Sequence, residues 1–157
     1  MDASAARPRC YVASALGFTE AGAYYYEHVY LPALSKVVEP VDPWSLTTAQ
    51  EMAEAQAGRR EHDFALEIGR RNAEAIRSCT LLAAHLDGQE VDSGTAAELG
   101  FATALGLRCF GVRTDLRQSG EPGVSVNLQV EHFLVESGGA LCGSLEELVD
   151  QLGAVAV

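Results

Sequence analysis

The sequence predicts one α/β domain in which a parallel sheet is covered by helices on both faces. Three observations carry that prediction. Strand-like and helix-like runs alternate along the chain. The strand-like runs, such as Thr80–Leu86 and Leu107–Val112, are apolar nearly throughout, as strands buried on both faces are. The chain has 157 residues, 48% of them hydrophobic, which suits a single domain able to bury a sizeable core.

Taken in order, Met1–Arg9 is Ala-rich, lacks the apolar centre of a signal peptide and reads as a flexible end before a domain of residues 10–157. Tyr11–Ala15, bounded by Gly17, is the first strand. Glu20 to about Val38 reads as a helix with Tyr24, His28, Leu31 and Leu34 on neighbouring turns; Pro32 has no N–H to donate and predicts a kink or an early stop. Val37–Val41 holds a brief second strand, and Pro40, Asp42, Pro43 and Ser45 mark a loop. Thr48–Ser78 carries a long helical pattern broken near Gly58, with apolar positions at Phe64, Ile68, Ala75 and Ile76. Strand Thr80–Leu86 ends at Asp87-Gly88. Helix Thr95–Leu105 is closed by Gly106, and strand Leu107–Val112 follows. After a loop over Arg113–Val126, Leu128–Glu136 reads as a helix before Gly138-Gly139, and Ser144–Leu152 as a last helix with Ser144 and Glu147 as a capping box. In such sheets a ligand sits beyond the carboxyl ends of the strands, which singles out the loops after Ala15, Leu86 and Val112.

The formal charge of −11 disfavours a nucleic acid polymer or an anionic membrane surface as partner. No run of about 18 apolar residues predicts a membrane span. Cys10, Cys79, Cys109 and Cys142 form no C-x-x-C pair and read as buried free thiols of a reducing, cytoplasmic compartment. His28, His62, His85 and His132 have no metal-ligand spacing.

The densest chemical signal runs from Asp87 to Gly100. Glu98 is the sole ionisable side chain between Thr95 and Leu107, on a helix apolar on nearly every face. Two readings stand. Thr95 and Glu98 match a capping box, in which the carboxylate bonds a backbone N–H. Alternatively Glu98 is a functional carboxylate, crowded with Asp87 and Asp92 at one strand end as chemistry, more than folding, requires. Ser93-Gly94 could offer backbone N–H groups to a ligand oxygen. Tyr11 alone reads as a core tyrosine, Tyr24-Tyr25-Tyr26 as a helix flank, and Asn127 equally as an N-cap or a ligand contact. Arg59-Arg60 and Arg70-Arg71 read as solvated helix faces beside Glu61, Asp63, Glu67 and Glu74.

An ordered set of motifs covers nearly the whole chain: Tyr11-Val-Ala-Ser14, Gly17-Phe18-x-Glu20-Ala-Gly22, Pro43-Trp44, Asn72-x-x-x-Ile76, Leu86-Asp87-Gly88, Asp92-Ser93-Gly94-Thr95-Ala-Ala-Glu98-Leu-Gly100, Arg113-Thr114-Asp115-x-Arg117, Asn127-Leu128 and Ser137-Gly138-Gly139. The set resembles nucleoside 2-deoxyribosyltransferases. The resemblance implies a Rossmann-like (flavodoxin-like) sheet, a homo-oligomer that is commonly a hexamer, and deoxynucleosides and free nucleobases as partners. It implies Glu98 as nucleophile, Tyr11 as the residue that positions it, and Asp92 as an active-site Asp that contacts the bound nucleoside; since the leaving base needs a proton, Asp92 is also the candidate to supply it. It implies a substrate site that includes Ser14, Gly17, Phe18, Asp87, Gly88, Ser93 and Gly94, with Asn127 and, less firmly matched, Gln129 donated by a neighbouring subunit. A carboxylate that traps C1′ as an ester splits base exchange into two displacements, and this chemistry requires no metal or organic cofactor. One departure stands out. An acidic residue common in the family at the start of the strand before Asp-Gly, implicated in base contact, is Thr80 here. Two other functions fit less well: an N-glycoside hydrolase on the same fold, with water as acceptor, and a nucleoside-binding protein without catalysis.

Overall fold

A computed structural model describes residues 6–155, so part of the expected flexible end, residues 1–5, lies outside the described residues. Arg9 opens strand β1 (Arg9–Ala13), and its carbonyl accepts from the Thr80 N–H. With β2 (Glu39–Val41), β3 (Leu81–His85), β4 (Arg108–Val112) and β5 (Leu141–Cys142) it forms one all-parallel sheet in the order β2-β1-β3-β4-β5. This is the flavodoxin-like order, whose direction reverses between β1 and β3. β5 escapes the sequence reading because it is two residues long and wedged between Gly139 and Gly143, too short to show a pattern.

The helical run after β1 contains α1 (Glu20–Tyr25), a π-helical turn over Tyr26–Tyr30, and α2 (Leu31–Leu34). The expected kink at Pro32 is therefore absorbed one turn upstream: the Leu31 N–H bonds the Tyr26 carbonyl, so the ladder shifts just before the residue that cannot donate. The long pattern after Ser45 splits as its glycine predicts, into α3 (Ala49–Ala57) and α4 (Glu61–Arg77), with Gly58 as the cap and Arg59 at φ 51°. Helices α5 (Ser93–Ala104), α6 (Leu128–Glu136) and α7 (Leu145–Val155) follow. Ser144 accepts from the Glu147 N–H, but the Glu147 carboxylate takes the Gly143 N–H, so the last helix has half of the expected box plus a bond outside it.

Alternate residues of each central strand feed two cores. Tyr11, Ala13, Leu82, Ala84 and Cys109 pack under α4, α5 and α6 with Ile76, Leu99 and Leu134. Cys10, Val12, Leu81, Ala83, Phe110 and Val112 pack against Tyr26, Tyr30, Leu34 and α7 residues Leu148 and Leu152. All four cysteines are buried free thiols. Among the described residues no helix is long and apolar enough to cross a membrane. The face bearing Tyr11 is the one that builds the site.

Candidate active site

A cavity of about 430 Å³ opens beside the β1/β3 switch point, between the loop after β1, the Pro43–Met52 segment, α4 and the start of α5. Phe18, Pro43, Trp44, Met52 and Ile68 give it apolar walls, and Ser14, Thr47, Asn72, Asp92 and Glu98 bring polar groups to it. Phe18 meets Trp44 edge-to-face at 4.8 Å between centroids. Asp42 holds that wall: its Oδ1 accepts from the Trp44 N–H at 3.0 Å and from the Tyr26 hydroxyl at 2.8 Å.

Glu98 projects from α5 toward the sheet. The Tyr11 hydroxyl, itself fully buried on β1, donates to Glu98 Oε1 at 2.6 Å, and Asn72 Nδ2 donates to the same oxygen at 3.4 Å. Burial raises the Glu98 pKa and the charge of Asp92 adds to the rise, while the bonds from Tyr11 and Asn72 oppose it; the net is upward. Burial and the neighbouring Glu98 charge push the Tyr11 phenol far up, so Tyr11 is a fixed donor.

The capping-box reading of Thr95 and Glu98 gives way here. The chain enters the helix earlier than expected, and Asp92 is the N-cap: its Oδ2 accepts from the Thr95 N–H at 2.9 Å and the Thr95 hydroxyl at 3.2 Å. Glu98 is thereby left free of any capping duty. Asp92 and Gly94 both line the cavity, whereas Ser93 is exposed at the first turn of α5 and does not. Ser14 lines it and accepts from the Leu16 N–H. Gly17 serves the wall indirectly, since a Cβ there would stand 2.5 Å from Trp44 Cε2.

Asp87 and Gly88 sit at the same strand end but outside the cavity lining. Asp87 accepts from the Thr114 N–H and hydroxyl and from the Asp115 N–H at 2.5–2.9 Å. Gly88, at φ 138°, donates to Asp115 Oδ2. The buried Arg113 guanidinium donates to the carbonyls of Leu86, Gly88 and Arg117, locking this corner. A second depression of about 490 Å³ lies nearby, lined by Arg113, Arg117 and Leu141. Its guanidinium groups are already committed, Arg113 to carbonyls and Arg117 to Asp115, and Glu98 is not among its lining residues.

Asn127 caps α6 by accepting from the Gln129 N–H; both residues are exposed and neither reaches the cavity of its own chain. Thr80 is exposed at the amino end of β3, opposite Arg9 and away from the carboxyl ends where the cavity lies, and it does not line the cavity of its own chain. The polar residue that faces Glu98 is Asn72. It was present in the sequence motifs but not singled out. Its signal is a polar residue in phase with Phe64, Ile68 and Ile76 on one stripe of α4. Trp44, Thr47 and Met52 come from a segment whose pattern does not announce a cavity wall. Among the described residues no group of His, Cys, Asp or Glu side chains gathers as metal ligands.

Comparison with known proteins bears on the family and the fold. The family model described as nucleoside 2-deoxyribosyltransferase matches residues 10–142. No curated protein matches the sequence. Among solved structures, a 2-deoxyribosyltransferase from Leishmania mexicana is 25% identical, with 92% of this chain and 97% of that one covered and a TM-score of 0.66. A conserved protein from Enterococcus faecalis V583 shares the fold at 22% identity, 96% and 99% coverage and a TM-score of 0.68. A CMP N-glycosidase of Clostridium botulinum shares it at 16% identity, 94% and 98% coverage and a TM-score of 0.55.

Proposed function

We propose, from the premise that the chain belongs to the nucleoside 2-deoxyribosyltransferase family, that it exchanges the base of a 2-deoxynucleoside through an ester between C1′ and Glu98. The observation that carries this reading is the Glu98 carboxylate: partly buried, on the cavity wall, with one oxygen held by Tyr11 and Asn72 and no cap to maintain. In the first step Glu98 Oε2 bonds C1′ as the C1′–N bond breaks. The electron pair leaves on the base nitrogen, which takes a proton relayed from solvent through Asp92, whose Oδ2 is engaged by Thr95 and whose Oδ1 is left for the task. In the second step a nitrogen of the incoming base bonds C1′ from the vacated face. The ester C–O bond breaks, Glu98 returns as carboxylate, and the proton displaced from the acceptor returns to Asp92. Two inversions give retention. Tyr11 stabilises the anion that attacks and later leaves.

The apolar walls suit the faces of a nucleobase. The lining holds two carboxylates and no Arg, Lys or His, which favours a free 5′-hydroxyl over a 5′-phosphate. On this reading a nucleotide N-glycosidase activity is the weaker choice. Such exchange belongs to nucleoside salvage in the cytoplasm. Asn127 and Gln129, exposed and remote from their own cavity, are assigned to the site of a neighbouring copy in a homo-oligomer.

The test mixes purified protein with deoxyinosine and adenine, and repeats the run without adenine. Deoxyadenosine formed only with adenine supports transfer. Hypoxanthine released equally in both runs, with no deoxyadenosine, replaces transfer with hydrolysis. For the shared site, Glu98→Ala and Asn127→Ala are each expected to be impaired alone. Mixed after dissociation and reassembly, they are expected to recover part of the activity; no recovery contradicts donation across subunits.

A further inference from the structure

We propose that Arg71 is a positioning residue that latches the outer wall of the cavity, residues 44–57, onto α4, and that this wall is a lid over the base. The proposal rests on the cavity being the substrate site. Arg70 and Arg71 look alike in sequence, but they do different things. Arg70 pairs along its own helix, with Glu67 and Glu74. Arg71 leaves α4: its Nη1 donates to the Leu46 carbonyl at 3.0 Å and to Glu51 Oε1 at 2.9 Å, while its Nε donates to Glu67 Oε1 at 3.1 Å, which aims the guanidinium.

Glu51 transmits that hold. Its Oε2 accepts from the Thr48 N–H at 2.8 Å and from the Thr48 hydroxyl at 3.0 Å, closing the capping box at the start of α3. One side chain thus ties the main chain before Thr47 and the first turn of α3 to the helix that carries Ile68 and Asn72. Beyond the packing of Trp44 on Phe18 and Gly17, little else holds this wall down. Ala55 is the only buried residue of α3, and Met52 lines the cavity while 43% exposed. The segment is pinned at its entrance by Asp42. At its exit Gly58 and Arg59, the latter at φ 51°, form a three-residue junction with Arg60 that can take up a change of direction. The Arg71 and Glu51 side chains are 27% and 35% exposed, so their ion pair is open to screening and contributes little net stability. A wall with few apolar contacts and one weak latch opens at low cost, and its Trp44 and Met52 line the cavity it would uncover.

The chain has a single tryptophan, Trp44, and it lies in this wall. Its fluorescence therefore reports the lid directly, without turnover. In Arg71→Met, acrylamide quenching of Trp44 should rise about twofold, and KM for deoxyinosine in the exchange assay should rise about three- to tenfold with kcat equal to or above wild type. Arg71→Lys should restore part of both. Added salt should raise the wild-type KM and leave that of Arg71→Met unchanged. Unchanged quenching and KM in Arg71→Met overturn the proposal. So does a fall in kcat and thermal midpoint with Trp44 quenching at the wild-type value, which would make Arg71 a structural tie alone. Free adenine is expected to quench Trp44 in the wild type. If it does not, the cavity is not the base site, and the lid falls with the functional reading; if it does while Arg71→Met matches wild type, only the lid falls.

Discussion

Glu98 and Asp87 are carboxylates of one strand end, both partly buried, and their surroundings drive them in opposite directions. Burial pushes Asp87 up, but the Thr114 hydroxyl and the backbone N–H groups of Asp115 and Thr114 outweigh it, and its pKa falls below the ordinary value. Burial pushes Glu98 up as well, Asp92 adds to it, and Tyr11 with the longer Asn72 bond does not bring it back. Asp87 spends its oxygens on three donors that join the loops after β3 and β4. Glu98 keeps one oxygen without a partner among the described residues. The number and direction of donors, more than residue type or proximity to the strand end, separates a carboxylate that holds the fold from one kept at an energetic cost.

The largest effect that sharpens this contrast is expected at Glu98. Glu98→Gln should lower base exchange by at least on the order of 10³-fold. It should also raise the thermal midpoint at pH 7. A carboxyl whose folded pKa is raised contributes stability below its unfolded pKa and loses it as pH climbs past the folded pKa, so the gain should vanish toward pH 4. A midpoint that drops at pH 7 breaks the contrast. Tyr11→Phe removes one charge-assisted bond, for which a loss of about 1.5–3 kcal/mol, or roughly ten- to 150-fold in kcat, is expected. Because the Tyr11 bond lowers the Glu98 pKa, the acid limb of the kcat–pH profile should shift upward in that variant, read by rates across pH 4–8.

Asp87→Ala should do the reverse of Glu98→Gln. Unfolding in urea at pH 7 should show a loss of about 1.5–3 kcal/mol, with exchange per folded molecule within about threefold of wild type. Since the folded pKa of Asp87 is depressed, the wild type itself should lose this contribution as pH falls below the ordinary carboxylate range. A large fall in kcat/KM without loss of stability would move Asp87 into the substrate site. The smallest effect belongs to Thr80→Asp, exposed at the far end of β3. Exchange with purine and pyrimidine acceptors should stay within about twofold of wild type.

Much of the fold was readable where local chemistry is emphatic. Helix α6 falls on its predicted residues, because Asn127 caps it and Gly138 follows it. The break at Gly58 was visible for the same reason. What failed was what depends on partners distant in sequence. β5 exists only because Gly111 and Val112 pair with it. The cap of α5 was misplaced because Asp92 and Thr95 are both good candidates, and the path of the loop decides between them. Within the site, Glu98 stood out as a charge on an apolar helix and Tyr11 through its motif. Asn72 and Arg71 look like ordinary polar residues of a helix. Their roles appear only when α4 is laid against α5 and the Pro43–Met52 segment.

The most direct test of the central claim is to incubate the protein with a deoxynucleoside analogue bearing fluorine at C2′, which destabilises the oxocarbenium-like state and slows discharge of the ester, and to map the modified peptide by mass spectrometry. The account predicts one fluorinated deoxyribosyl group per chain, on Glu98, lost on adding an acceptor base and absent in Glu98→Gln. An adduct on another residue, or base release with no adduct at any time point, would contradict it.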